Sequence, residues 1–353
     1  MNAEQNQQRD PVRFTRVLVT GASGCIGRCL VKRLAAAGCQ VNALDLDEAG
    51  LQKLASENPP GTVVAFQGSL EDSRIVAQAG ARVEAVFHAA AKVHAIPRNA
   101  QEEAEFFRIN VAGTENLLTH SAGTDLRAFV FFSTIAVYGA GDGKPLNEAT
   151  PLHPDNAYAK SKLQAEQRVR EFFASRAIKP TIFRMSLVYG EGERGNFSRM
   201  MRSVDRGRFV MVGNGMTRKS MIYVEDVVSA ALLAASNAAG QGETFVLSDP
   251  EPYALKDIVG VLAKHLGRRP PCIRLPVSVL RAGGTALGVL GRALGFKPMF
   301  TRPDVDKLLT DTVCDVAKIQ RVLGFQSQYG LHEGARRTVK WFRQEQPRSE
   351  GER

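Results

Sequence analysis

Three glycines, at positions 21, 24 and 27 of Thr20-Gly21-Ala22-Ser23-Gly24-Cys25-Ile26-Gly27, follow an apolar run at 16–20 and open a helical pattern at 26–37 that stops at Gly38. Few folds accept that order of pieces. The strand must end in a tight turn, which Gly21 permits. Gly24 lets the backbone approach a pyrophosphate, and Gly27 lets the helix pack close on the strand. The helix start then presents free N–H groups and a positive dipole end to the phosphates. A glycine triplet alone is a weak signal; here the flanking strand and helix give it weight. A second apolar run, 41–46, carries Asp45 at its end. A carboxylate there can accept hydrogen bonds from both hydroxyls of an adenosine ribose and repels a 2′-phosphate. No Arg or Lys follows closely, and Ser23 stands between the glycines where a phosphate-binding Arg would otherwise be. The turn therefore predicts a dinucleotide, NAD in preference to NADP.

Further apolar runs at 63–66, 85–88, 128–133 and 181–185 alternate with helical patterns, among them 158–176. That alternation predicts an α/β fold, a doubly wound parallel sheet covered by helices on both faces. After Val188 the pattern changes. A Gly- and charge-rich loop at 191–196 precedes a helical run at 197–206, a short strand at 209–212, a strong helix at 225–235 and a strand at 244–248. From Pro250 onward come helices broken by Gly and Pro. The expected organisation is a nucleotide-binding domain over 13–188, rejoined by 221–249, and a smaller substrate-binding domain from 189–220 and 250–343. Residues 1–12 are expected to form a disordered tail and 344–353 a frayed one. A chain of 353 residues, 44% hydrophobic and 23% charged, buries a sizeable core without metal or disulfide staples.

Tyr158 and Lys162 lie four apart in a helical run and so share a face. A free phenol, with a pKa near ~10, is a poor base at neutral pH. A cationic ammonium beside it favours the phenolate. The apolar run 129–132 ends in Ser133 and Thr134. Ligands of doubly wound sheets bind at that end of the strands. Either hydroxyl can hold a substrate oxygen beside Tyr158, or bond to local backbone.

These pieces resemble the extended short-chain dehydrogenase/reductase superfamily, also called the NAD-dependent epimerase/dehydratase family. The matching residues are 20–27, Asp45, His88 to Ala91, Asn110 in Asn-Val-Ala-Gly-Thr, 131–139, 158–162, Arg184 with Val188-Tyr-Gly190, and Tyr223 to Asp226, in the family's order and spacing. The resemblance implies a Rossmann fold and an oxidoreductase using NAD. Gly21, Gly24 and Gly27 would hold the pyrophosphate, with Ser23, Cys25 and Ile26 of the same turn among the cofactor contacts. Ser69 and Leu70 would lie at the adenine. His88, Ala89 and Ala90 would line the floor beneath the adenine and the nicotinamide ribose, and Asn110 would support the site. Thr134 would orient the substrate, with Ser133 beside the cofactor. Tyr158 would be the general acid/base and Lys162 its partner and a ribose contact. Hydride would pass between a substrate carbinol carbon and C4 of the nicotinamide while Tyr158 moves the hydroxyl proton. A small-molecule substrate and a homodimer are implied as well, and Lys92 falls on the substrate side.

Three departures bear on the substrate. Gly68-Ser69-Leu70 has a serine where the family has an adenine-contacting acid. Leu187 stands where many nucleotide-sugar enzymes carry a diphosphate-binding Asn. Arg218-Lys219 puts a lysine in the column of a phosphate-binding arginine, with loss of the bidentate fork; the pair also reads as a solvated loop. In the C-terminal part, 276–280, 282–296, 313–325 and 331–342 resemble the 3β-hydroxysteroid dehydrogenase-like branch. An apolar alcohol and a nucleotide sugar both stay open, with a lean to the former. A non-catalytic dinucleotide-binding scaffold or redox sensor is disfavoured because Tyr158 and Lys162 are both present.

Net charge is +10 and the pI about 9.5. That suits a basic solvated surface, an anionic substrate or an anionic membrane surface. Nucleic acid is excluded as a partner: no basic stripe is interleaved with aromatics, and there is one Trp. The apolar run 280–296, with Arg281, Arg292 and Lys297 around it, fits a cavity wall, a packed helix or peripheral membrane contact. The five cysteines, Cys25, Cys29, Cys39, Cys272 and Cys314, form no CxxC pair and no metal set, and read as free thiols in a reducing, cytoplasmic compartment. The polar N-terminus lacks an apolar signal core.

Overall fold

Strands that must bury both faces need apolar side chains at every position, and the first half of the chain supplies them. The computed structural model describes residues 14–93, 97, 99–121, 123, 125–141, 143–270, 273–282, 285 and 309–345. Strands β1 (Arg16–Thr20), β2 (Gln40–Asp45), β3 (Val63–Gln67), β4 (Ala85–His88), β5 (Ala128–Thr134) and β6 (Thr181–Met185) follow one another through the chain. Then come β7 (Leu187–Tyr189), β8 (Met211–Val212), β9 (Arg218–Lys219), β10 (Met221–Tyr223) and β11 (Thr244–Leu247). Seven of these make one sheet in the order β3-β2-β1-β4-β5-β6-β11, every pairing parallel. This is a doubly wound, Rossmann-type sheet.

The period of two sorts its core. Val17, Val19, Val41, Ala43, Phe87, Val130 and Phe132 enter one apolar cluster; Leu18, Leu44, Val86, Phe129 and Phe131 enter another on the opposite face. The helices are α1 (Cys25–Ala36), α2 (Glu48–Glu57), α3 (Ser73–Ala79), α4 (Ala100–Phe107), α5 (Gly113–Ser121), α6 (Ala157–Phe173), α7 (Asn196–Asp205), α8 (Val224–Ser236), α9 (Leu255–Leu266), α10 (Ala317–Leu323) and α11 (Leu331–Glu345). Asp47, Asp72, Asn99 and Asn156 cap α2, α3, α4 and α6 through their side chains. A π-helical turn, Arg108–Ala112, joins α4 to α5.

Three two-stranded ribbons complete the strands. β10 runs parallel to β7, β12 (Tyr253–Ala254) antiparallel to β9, and β13 (Arg274–Leu275) parallel to β8. The strand expected at 209–212 shortens to Met211–Val212, because Phe209 packs on the core instead. Among the described residues no helix is long and apolar enough to cross a membrane, and no cluster of His, Cys, Asp or Glu could hold a metal. Cys25, Cys29, Cys39 and Cys314 are free thiols. Cys272, the tails 1–12 and 346–353 and most of the apolar run 280–296 lie outside the described residues.

Candidate active site

Backbone geometry at the first turn dictates its glycines. Gly21 has φ +67°, and a Cβ there would sit 2.7 Å from the backbone nitrogen of Ala90. A Cβ on Gly27 would overlap the carbonyl oxygen of Gly21. α1 begins behind Gly24 with no side chain capping it, in contrast to α2, α3, α4 and α6. The N–H groups of its first turn, from Cys25, Ile26 and Gly27, are therefore left for an outside acceptor. Asp45 ends β2 beside this turn. Its carboxylate accepts from Ser23 N–H and Asp47 N–H, each at 3.0 Å, which fixes its place at the rim while leaving lone pairs for further donors. An uncapped helix start, a close-packed glycine turn and an oriented carboxylate fit a dinucleotide's pyrophosphate and ribose.

Further along the rim, Ser69 accepts from Glu71 N–H at 3.2 Å, and Leu70 is buried against Gly113. His88 ends β4 fully enclosed. Its Nδ1 lies 2.7 Å from the Thr20 hydroxyl and its Nε2 2.9 Å from the Thr114 hydroxyl. Thr114 gives its one proton to the Asn110 carbonyl, so Nε2 donates and Nδ1 accepts from Thr20. Burial, and then the charge of Lys162, push this imidazole down to about 3 and keep it neutral. Its ring ties β1, β4 and α5 together. The half-buried Ala89 and Ala90 follow it at the sheet's end.

The catalytic candidates meet between β5 and α6. Against the raising effect of burial, the Thr134 hydroxyl acts on Tyr158 to lower its pKa. Thr134 accepts from Ala136 N–H at 3.2 Å, the local backbone bond that was one of the two uses open to it in the sequence. Lys162, four residues on, is buried, its Nζ 4.1 Å from the centre of the Phe131 ring. Burial raises Tyr158 to about 12, opposed by Thr134. Burial likewise lowers Lys162 to about 7, opposed by Glu166. In each case loss of hydration disfavours the charged form.

Ser133 is corrected as an alternative substrate-orienting hydroxyl. It is buried and donates to Glu166 Oε1 at 2.5 Å. It shares the face of Phe131 beneath α6, whereas Thr134 escapes at the strand end. Glu166 itself was missed in the sequence. Fully buried, it also accepts from Arg184 Nη2 at 2.8 Å and Arg170 Nη2 at 3.2 Å, and Arg184 Nη1 donates to the Tyr138 hydroxyl at 3.0 Å. The available signal was spacing: Tyr158, Lys162 and Glu166 stand four apart on one stripe of α6.

Asn110, in the π-helical turn, fixes the base of α6. Its Nδ2 donates to Ser161 Oγ at 2.9 Å, and Ser161 donates to the Tyr158 carbonyl at 2.9 Å. Its Oδ1 accepts from Lys92 N–H at 2.7 Å. The Lys92 ammonium is ion-paired with Glu105 and lies over the ring of Phe106, which in turn meets Tyr158 edge-on at 6.5 Å.

The positions expected to meet substrate beyond Tyr158 are engaged within the protein. Leu187, in β7, is half-buried against the core. Arg218 and Lys219 are not a solvated loop but strand β9. Arg218 donates to Asp311 Oδ2 through Nε at 2.8 Å, and Lys219 Nζ donates to the Thr310 carbonyl at 2.8 Å.

A family model described as NAD dependent epimerase/dehydratase family matches residues 17–248. The chain belongs to that family. It is an NAD-dependent enzyme of the extended short-chain dehydrogenase/reductase type. Similar proteins include the Escherichia coli O157:H7 N-acetyl-alpha-D-glucosaminyl-diphospho-ditrans,octacis-undecaprenol 4-epimerase, 29% identical over 92% of this chain and 94% of that one. The Stigmatella aurantiaca 4-hydroxy-2-methyl-3-oxo-4-farnesyl-3,4-dihydroquinoline-1-oxide ketoreductase is 31% identical over 79% of this chain and 81% of its own. A Mycobacterium tuberculosis 3 beta-hydroxysteroid dehydrogenase/Delta 5-->4-isomerase is 27% identical over 93% and 90%. Among solved structures, MoeE5 in complex with UDP-glucose and NAD superposes with a TM-score of 0.73 at 26% identity, covering 94% of this chain and 99% of that one.

Proposed function

We propose that this family member interconverts a secondary alcohol and a ketone on a substrate with a largely apolar body, of the prenylated or steroid kind. One observation carries the reading. Where a diphosphate would need donors, Leu187 packs on the core and the two cations of β9 are already bonded to residues 310 and 311. The relatives named for a farnesylated quinoline and a steroid support it; the undecaprenol-linked relative, named for a sugar diphosphate on an isoprenoid, is divided between this reading and the sugar one. In this reading residues 189–220 and 250–343 build the substrate-binding domain and 13–188 with 221–249 the nucleotide domain. The chain works as a cytoplasmic homodimer, in line with the family resemblance and the free thiols.

Bound NAD supplies the hydride acceptor, and its reduced form the donor. Thr134 holds the substrate oxygen beside the Tyr158 hydroxyl. In the reducing direction the Tyr158 phenol gives its proton to that oxygen and becomes the phenolate; in the oxidising direction the phenolate takes the carbinol proton up. Lys162 sits one turn away, able to gain or lose its own proton near neutral pH. Asn110 and Ser161 hold the start of α6, and with it the phenol, in place. Asp45 accepts the adenosine ribose hydroxyls and disfavours a 2′-phosphate.

A nucleotide-sugar epimerase is the second reading. The Arg218–Asp311 pair favours it: Arg218 is 56% exposed, so the pair is worth at most ~1 kcal/mol and a diphosphate could displace the carboxylate. A panel of hydroxysteroids and prenylated alcohols against UDP- and GDP-sugars decides between them, read by NADH absorbance for oxidation and by product analysis for epimerisation. Turnover confined to the apolar alcohols is expected. Turnover of the sugars alone overturns the proposal.

A further inference from the structure

The excess positive charge of this protein has a definite address. Between Asp205 and Glu225 the sequence holds four Lys or Arg residues and no acid; between Asp257 and Asp304 it holds eight and no acid. The rest of the chain carries 34 basic and 36 acidic residues of the 46 and 36 in all, so the whole excess of +10 arises in these two stretches.

Strand pairing joins the described parts of the two at β8 and β13; Arg292, Lys297 and Arg302 lie outside the described residues. β8 lies beside β13 with Met211 opposite Arg274 and Val212 opposite Leu275. Met211 N–H donates to the Ile273 carbonyl and Gly213 N–H to the Leu275 carbonyl, both at 3.0 Å. In that register Val210 neighbours Ile273, and alternation places Val210, Val212, Ile273 and Leu275 on one face. Val210 is 39% exposed and Ile273 62%; Met216 and Val279, just beyond the two strands, are 50% and 53% exposed. Four of the seven exposed large hydrophobics among the described residues thus lie in this short ribbon or within four residues of it along the chain. Arg206, Arg208 and Arg269, which flank the two strands in sequence, are exposed. Single exposed aliphatic residues carry no meaning, but a cluster rimmed by one sign of charge does.

We propose that the β8–β13 ribbon is a docking face for an anionic lipid bilayer. The aliphatic tips enter the headgroup boundary while the arginines meet lipid phosphates. Charge complementarity selects this occupant. A second copy of the chain would set arginine against arginine across a two-fold contact, and that repulsion opposes self-association. The inference does not rest on the substrate reading, since a surface-docked enzyme can act on a soluble or a lipid substrate.

Co-sedimentation of the full chain with vesicles tests it, comparing phosphatidylglycerol mixed into phosphatidylcholine with phosphatidylcholine alone. Binding is expected to the anionic vesicles only, and to fall at several-fold higher salt. The double variant Val210→Asp, Ile273→Asp should lose about tenfold or more in partitioning. The triple variant Arg206→Gln, Arg208→Gln, Arg269→Gln should lose at least as much, since each basic contact is worth about fivefold. Thermal melting and NADH binding should be unchanged in the arginine variant, whose positions are exposed, so it decides the matter if the aspartates impair folding. Equal binding to neutral and anionic vesicles, or no loss in either variant, overturns the proposal. So does a concentration-dependent dimer, seen by sedimentation equilibrium, that Ile273→Asp dissolves while vesicle binding is absent. Failure of the substrate panel would leave vesicle binding untouched, so the two readings fail separately.

Discussion

The surroundings of Tyr158 and strand β9 use polar residues in opposite ways. Around Tyr158, Asn110, His88 and Glu166 are enclosed and hydrogen-bonded to one another's elements, so a few side chains fix the geometry of β1, β4, β5, α5 and α6. At β9, by contrast, Arg218 and Lys219 reach sideways to residues 310 and 311, distant in sequence, and one of the two pairs lies open to solvent. A buried polar network holds its geometry because every unmade bond is costly in low dielectric. An exposed ion pair holds almost nothing. In the proposed mechanism, precision is therefore concentrated where the proton would move, and latitude where the substrate body would lie.

That contrast can be broken at its strong end first. Tyr158→Phe keeps the ring and removes the proton, so kcat should fall by about 10²–10⁴ with NADH affinity nearly unchanged, measured by steady-state kinetics and fluorescence titration. Near-normal turnover would remove Tyr158 from its role. Glu166→Ala comes next. It strands the buried Arg184, and urea denaturation should show a loss of roughly 3–5 kcal/mol. A loss below about 1 kcal/mol would mean that the network is not what holds α6 on the sheet. Arg218→Gln is the smallest. It should cost at most ~1 kcal/mol of stability and, with an apolar substrate, leave kcat/KM within a few-fold. A collapse of kcat/KM comparable with Tyr158→Phe would erase the distinction between the two regions and favour the diphosphate reading.

What the sequence made legible follows the same division. The glycine turn, Asp45, Thr134, Tyr158 and Lys162 are short-range patterns whose chemistry needs fixed spacing along one strand or helix. The sheet could be read because its strands are apolar on both faces. Arg218 and Lys219 were open to a solvated reading because their partners, Asp311 and Thr310, lie about ninety residues away. The ionisation of Tyr158 and Lys162 was also beyond the sequence: spacing shows that they share a helical face, but only three-dimensional burial shows how strongly both charged forms are disfavoured. Glu166 lay in plain view on the α6 stripe. An acid in a helix reads as a surface residue until a buried arginine from β6 is seen to meet it.

The strand order also has a consequence in time. β1 finds both its neighbours, β2 and β4, within the first 88 residues, and the five strands through β5 are complete at residue 134. β6 adds at residue 185, but its outer neighbour is β11, which begins at residue 244. A nascent chain growing at roughly 5–20 residues per second therefore carries an unpaired β6 edge for several seconds. During that interval the edge's free N–H and C=O groups can template pairing with another chain. A chain interrupted before residue 244 keeps that edge permanently, and such fragments should aggregate where the complete chain folds.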